Sequence, residues 1–148
     1  MKIIFSSISL LLLVVSVLLS KPDDELLKIE KAAPEKSSVK PKKIRKVLVY
    51  SHPSGFKHSS IPTGVKGLRV LAEKTKAFEA TFTLETKEFT SEGLIKYDAI
   101  IFNNTTHVQK AFTEKSQRDA ILNFIKNGKA FIGFHAASDG GMSQWQEY

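Results

Sequence analysis

Apolar residues along this chain gather into short dense runs, separated by stretches in which they recur every three or four positions. The first dense run is Ile44 to Ser51, "IRKVLVYS". It is β-branched and almost uninterrupted, the pattern of a strand covered on both faces. After a loop containing Pro53 and Gly55, Ser59 or Ser60 is placed to cap a helix with Pro62 in its first turn. Val65, Leu68, Leu71 and Ala72 then share one helical face, which carries that helix to about Lys76. "FEATFTLET" alternates and is rich in Thr, so it reads as a strand at the sheet edge. "TSEGLIKY" reads as a short helical turn, and "DAIIFNN", Asp98 to Asn104, as a second buried strand. Thr113 is placed to cap a helix whose Ala120, Ile121, Phe124 and Ile125 share a face and which Asn127-Gly128 ends. "AFIGF", Ala130 to Phe134, reads as a fourth, buried strand.

Strand and helix therefore alternate, which predicts an α/β fold with a mostly parallel, doubly wound sheet of the flavodoxin-like kind. In the order 2-1-3-4, the ligand crevice of such a sheet lies at the carboxyl ends of the first and third strands.

The periodic part begins only at residue 44. Residues 1–20 have one Lys followed by an apolar run, the form of an export signal, either cleaved or kept as an anchor. Export predicts a periplasmic or secreted protein, with membrane contact only through this segment. Residues 21–43 mix Lys, Glu, Asp, Ser and Pro with scattered apolar positions, a composition that predicts a flexible tether. Residues 44–148 are then the folded domain.

The formal charge of +7 changes little, because it is spread over many lysines. "KPKKIRK", Lys40 to Lys46, has no interleaved aromatic residues and reads as the solvated flank of the first strand, not as a nucleic-acid grip. The absence of cysteine removes disulfides, thiol catalysis and cysteine-linked lipid.

Chemistry enters with the histidines. His52 and His58 follow the first strand, His107 the third and His135 the fourth, so all four lie in loops at one rim of the predicted sheet. Imidazole there serves as metal ligand, as acid or base, or as hydrogen-bond donor to a hydroxylated ligand. His58, His107, His135 and Asp139 together have zinc-ligand chemistry, but their spacing matches no compact zinc motif. "SHPSGFKHSS" contains neither a dinucleotide fingerprint nor a phosphate loop, and "GFHAASD" lacks the glutamate of a zinc deaminase.

Three ordered stretches, "VLVYSHPSGFKHSSIPTGVKGLRVLAE", "FTSEGLIKYDAIIFNNTT" and "FIKNGKAFIGFHAASDGGMSQWQEY", resemble the trehalose-utilisation (ThuA-like) family over about Lys46 to Tyr148. The resemblance implies the class I glutamine-amidotransferase-like fold, in which the strand corresponding to Ala130–Phe134 ends in a tight turn carrying a nucleophilic cysteine. Gly133-Phe134-His135-Ala136-Ala137 stands at that turn here, so His135 replaces the thiol and glutamine amidotransferase activity is not expected. The family's positions are matched by Ser51, Gly55, Phe56, His58, Ser60, Ile61 and Pro62, by Asn103, Thr105 and Thr106, and by His135, Ala136, Ala137, Asp139, Trp145 and Tyr148. His52 and His107 depart from the pattern, as do Gly140 and Gly141. Family members also continue beyond the position of Tyr148, which implies a domain incomplete at its C-terminus, with an apolar sheet edge left open.

What the resemblance implies is a saccharide or keto-sugar ligand. His135 and Asp139 are the candidate catalytic residues, and His58, Asn103, Thr105, Thr106 and Trp145 the candidate sugar contacts. His58 and His135 are the candidate ligands of a divalent metal such as zinc. The competing readings are a non-catalytic module that binds a saccharide or a partner, and an inactive fragment.

Overall fold

A computed structural model describes residues 23–140 and 144–148, so the expected export segment at residues 1–20 lies outside the described residues. Four parallel strands form one sheet in the order β2-β1-β3-β4: β1 Arg45–Tyr50, β2 Phe78–Thr83, β3 Ala99–Asn103 and β4 Ala130–Phe134. This is the expected flavodoxin-like order. The chain steps from β1 to one edge, then returns past β1 to build β3 and β4 on the other side. Right-handed crossovers in opposite directions place the connecting helices on opposite faces.

Alternation along β1 assigns the two cores. Val47 and Val49 pack with Ala99, Ile101 and Leu68 of the helix Ile61–Thr75, while Leu48 and Tyr50 pack with Ile100, Phe102, Phe89, Phe112, Ile121 and Phe124 on the opposite face. All four residues Val47–Tyr50 are buried, which is why the run reads as continuous rather than alternating. Burying each such side chain contributes about 1.5–3 kcal/mol, which makes this strand the anchor of both layers.

Two helical starts differ from the sequence reading. Ser60 stands at the N-cap of Ile61–Thr75 with Pro62 just inside it, yet its hydroxyl makes no capping bond and donates instead to Asn104 Oδ1 at 3.3 Å. Thr113 does not cap the helix Lys115–Lys126; Glu114 holds that position, and the Thr113 carbonyl accepts from Arg118 reaching back. Thr90 does cap the short helix Ser91–Leu94, accepting from the Gly93 N–H at 3.0 Å. A further short helix, Val108–Ala111, had no periodic signal because four residues are too few to show one.

The larger difference lies in the expected tether. Asp24–Ala32 is a helix, α1, capped by Asp23, whose carboxylate accepts from the Glu25 and Leu26 N–H groups. It lies against Ile61–Thr75, here α2, which holds it at both ends. Lys66 Nζ reaches Asp23 at 2.5 Å and Glu25 at 2.6 Å; Lys74 Nζ donates to the Glu30 and Ala33 carbonyls and pairs with Glu35. Lys74 at the C-terminal carbonyls complements the helix dipole, as do the acidic Asp24 and Glu25 of the first turn, while Lys66 pairs with the carboxylates of Asp23 and Glu25. None of the α1 side chains is buried, so composition alone could not reveal the docking.

β4 is an edge strand, and the expectation that it is buried fails. Phe131 packs into the core on one face, but Ile132 and Phe134 on the other are each 41% exposed. No described element covers that side. Among the described residues no helix is long and apolar enough to cross a membrane.

Candidate functional site

The rim at the carboxyl ends of β1, β3 and β4 is built by hydrogen bonds between loops. The Asn103 amide donates to Ser51 Oγ at 3.2 Å and to the Ile61 carbonyl at 3.1 Å, and its Oδ1 accepts from Asn104. Thr106 accepts from the Gly55 N–H and donates to the Phe56 carbonyl, both at 3.0 Å, while its own carbonyl accepts from Ser54 N–H. Asn104 N–H donates to the Phe134 carbonyl, which ties β3 to the end of β4. The loop after β1, Ser51–Ser60, is thereby sewn to the loop after β3, and that loop to β4.

These bonds decide what the candidate sugar contacts do. Asn103 and Thr106 are 1% and 3% exposed, and their polar atoms are spent inside the protein. Thr105 is fully buried, with no partner for its hydroxyl. Trp145 lies in the core beside Phe112 and Tyr148, and its indole N–H also lacks a partner. Burial raises the Tyr148 hydroxyl far above its ordinary range, so it keeps its proton and donates a hydrogen bond to the Ala137 carbonyl. None of these four candidate contacts presents a free polar atom to the crevice.

The imidazoles do come together. The rings of His58 and His135 lie 4.6 Å apart, nearly perpendicular, and Phe56 sits edge-on to His58 at 4.9 Å. His135 begins the 3-10 turn His135–Ser138 directly after β4 and has φ +49°. Left-handed backbone in a residue with a β-carbon costs about 1–3 kcal/mol, and such residues gather where geometry serves a site. The four such residues among those described are Lys76 at a helix end and Asn104, His107 and His135, all three at this rim. Small neighbours are required: a β-carbon on Gly133 would lie 3.2 Å from that of Ala137.

Asp139 ends the 3-10 turn, its N–H bonded to the Ala136 carbonyl. The sequence places it beside His135 as a candidate catalytic residue. Its recorded imidazole neighbour is instead His107, with Asp139 Oδ2 4.0 Å from Nδ1. His107 has φ +49° and rests on Gly55, where a β-carbon would meet the ring at 2.0 Å. The sequence reading set His107 aside as a departure from the family pattern. The available signal was its shared rim position, which does not announce a partner.

A cleft of about 880 Å³ opens on the other side of the β1 loop, between α2 and the end of β2. Pro53, Ile61, Val65, Phe82 and Leu84 line it with His52, whereas His58 and His135 do not. For a metal, the donor set is too small. Tetrahedral zinc takes three or four protein ligands, and among the described residues no three His, Asp or Glu side chains converge. His58 and His135 alone do not fit such an ion.

The family model described as trehalose utilisation matches residues 46–148. The fold is similar to the crystal structure of a ThuA-like protein from Bacteroides uniformis, with a TM-score of 0.57 and 22% sequence identity. That similarity covers 73% of this chain and 43% of the other, so the chain spans less than half of that protein's length. Comparison with the curated proteins finds no match.

Proposed function

The chain belongs to the trehalose-utilisation (ThuA) family, and from that premise we propose that its rim binds a saccharide or keto-sugar between His58 and His135. The observation that carries this reading is the pair itself: two imidazoles 4.6 Å apart at the carboxyl ends of β1 and β4, one held in a strained turn. Imidazoles so placed suit a ligand that is all hydroxyls and carbonyls. A neutral ring nitrogen accepts a hydrogen bond from a hydroxyl, and a ring N–H donates to a carbonyl.

By the family resemblance, His135 stands where enzymes of the glutamine-amidotransferase-like fold carry a nucleophilic thiol. The chain has no cysteine at all, so no thioester can form and glutamine hydrolysis by that route is closed. What the turn then supplies is an imidazole held in fixed orientation where substrates of this fold sit. In the catalytic form of this reading, His135 moves a proton at a sugar hydroxyl or carbonyl and His58 holds the ring opposite it. Asn103 and Thr106 keep the loops in register and do not touch the sugar.

Binding without turnover is the second reading. It is favoured by the small set of free polar groups, since the neighbouring Asn and Thr side chains are buried and committed elsewhere.

The test is calorimetric titration of the full chain with trehalose and with a keto-glycoside, beside His135→Ala and His58→Ala, followed by a turnover assay of both sugars. Binding by the wild type that either variant abolishes is expected. Binding undiminished in both variants, or none in the wild type, would sink the assignment. Turnover lost in His135→Ala separates the catalytic reading from the binding one.

A further inference from the structure

His107 holds a left-handed backbone at this rim that its own short helix does not explain. It stands before Val108–Ala111 in left-handed backbone and makes no capping bond there. Its ring occupies space that exists only because residue 55 is glycine: a β-carbon there would approach Cδ2 to 2.0 Å and Nε2 to 2.9 Å. Gly55 is itself fixed by Thr106, the residue just before His107 in the chain. On its other side the ring faces Asp139, at 4.0 Å from Nδ1, with both side chains a little over a third exposed.

Each contact leads to one member of the imidazole pair. Gly55 lies in the loop that carries Phe56 and His58. Asp139 closes the turn that His135 opens, with its N–H bonded to the Ala136 carbonyl. The loop after β1 is also joined to the loop after β3 by Ser54 N–H to the Thr106 carbonyl and by the Thr106 hydroxyl, which bonds Gly55 and Phe56, and the loop after β3 is joined to β4 by Asn104 N–H to the Phe134 carbonyl. His107 adds a side chain that rests on Gly55 in the first loop and faces Asp139 in the turn after β4.

We propose that His107 is the positioning residue of the crevice: seated on Gly55 and facing Asp139, it fixes the gap between His58 and His135. This rests on the reading of that pair as the saccharide site, and it assigns His107 no contact with the sugar. Its effect falls on affinity through the geometry of the pair. Asp139 belongs to the same device as the holder of His107, not as a partner of His135. The match is specific. A bulkier residue at 55 displaces the imidazole, and a small residue at 107 removes the side chain that lies between Gly55 and Asp139.

The test needs no ligand. In the full chain, solubilised in mild detergent and labelled in its histidines, ring protons of His58 and His135 are close enough for a nuclear Overhauser cross-peak. In His107→Ala that cross-peak is expected to disappear while circular dichroism and the melting temperature stay near wild type. His107→Asn, which tolerates left-handed backbone and retains a donor toward Asp139, is expected to restore it. Gly55→Ala should abolish the cross-peak, and adding it to His107→Ala should change nothing further. If His107→Ala does not fold, Asp139→Ala carries the test, with weakening of the same cross-peak expected. A cross-peak that persists unchanged in His107→Ala, or in Asp139→Ala should that variant carry the test, overturns the proposal. If the wild type shows the cross-peak and binds no sugar, the saccharide reading falls and the positioning role stands.

Discussion

Two glycines in α2 show how much a single β-carbon decides. Gly64 and Gly67 occupy one helix, where replacing Gly by Ala ordinarily stabilises by about 0.5–1 kcal/mol. At Gly67 nothing lies within 4 Å of an added β-carbon, so Gly67→Ala should show that gain. At Gly64 the added atom would sit 2.3 Å from Asn103 Oδ1. Asn103 is buried and bonded to Ser51, Ile61 and Asn104, so it can move only by giving up bonds that nothing else would replace. Overpacking and an unsatisfied buried amide each cost about 1–3 kcal/mol, more than the helix gains, so Gly64→Ala should destabilise by about 1–3 kcal/mol. Urea denaturation of both variants checks the opposite signs; equal shifts would show that Asn103 is not held as described. His107 and Gly55 are a similar pair at the same scale. Nothing in the sequence shows that two residues so far apart must be complementary, because the fit depends on the loops meeting in space.

At the scale of elements, what was legible followed burial. β1 and β3 read as strands because Val47–Tyr50 and Ala99–Asn103 are buried throughout, and a sheet interior leaves an unbroken apolar run. α2 was legible from its apolar spacing. α1 was not: it docks by charge and carries no buried residue, so its sequence looks like a solvated linker. That mode of attachment makes it separable from the rest of the fold. Hydrogen bonding to Lys66 is the largest cause holding the Asp23 and Glu25 carboxyls below their ordinary values, and the same contacts raise the Lys66 ammonium. A carboxyl with a depressed value stabilises the docked form above the usual carboxylate range, and that contribution is lost as pH falls through the depressed value. The Debye length shrinks from about 10 Å at 0.1 M to about 3 Å at 1 M salt, which weakens exposed pairs of this kind. Amide protection in Asp24–Ala32, taken relative to the intrinsic exchange rate at each pH, should therefore fall in 1 M salt, below about pH 4, or in Lys66→Met at neutral pH. The sheet amides should keep their protection under the salt condition and in the variant. Simultaneous loss in both regions would show that α1 is integral to the domain.

For the molecule as a whole, among the described residues, the sheet has one edge strand that carries charge, β2, and one that does not, β4. β2 alternates, with Glu79, Thr81 and Thr83 along it, whereas β4 carries no charge and leaves Ile132 and Phe134 exposed. An uncharged apolar edge is a template for another strand. Ile132→Lys should reduce concentration-dependent light scattering of the purified chain without lowering its melting temperature, since the replaced side chain is already 41% exposed. Scattering that does not change would place self-association elsewhere. Topology was read correctly from the order of elements, and with it the rim on which His58, His107 and His135 meet. The sequence could not reveal which polar residues of that rim remain available. Asn103, Thr105, Thr106 and Asp139 have sugar-binding chemistry on paper, but three are buried and the fourth faces His107.

The left-handed residues at the rim have a further consequence for anyone who would improve this protein. Asn104, His107 and His135 each hold a backbone shape that glycine adopts freely. A library screened for heat resistance alone would tend to collect glycine at His107 and His135, because relief of the strain is worth more than the contacts of a partly exposed ring, but not at Asn104, which is buried and bonded to Asn103 and Ser60. Each winner would be sturdier and would have surrendered part of its crevice. The distance between the most durable version of this fold and the natural one is a measure of what selection has spent on those imidazoles.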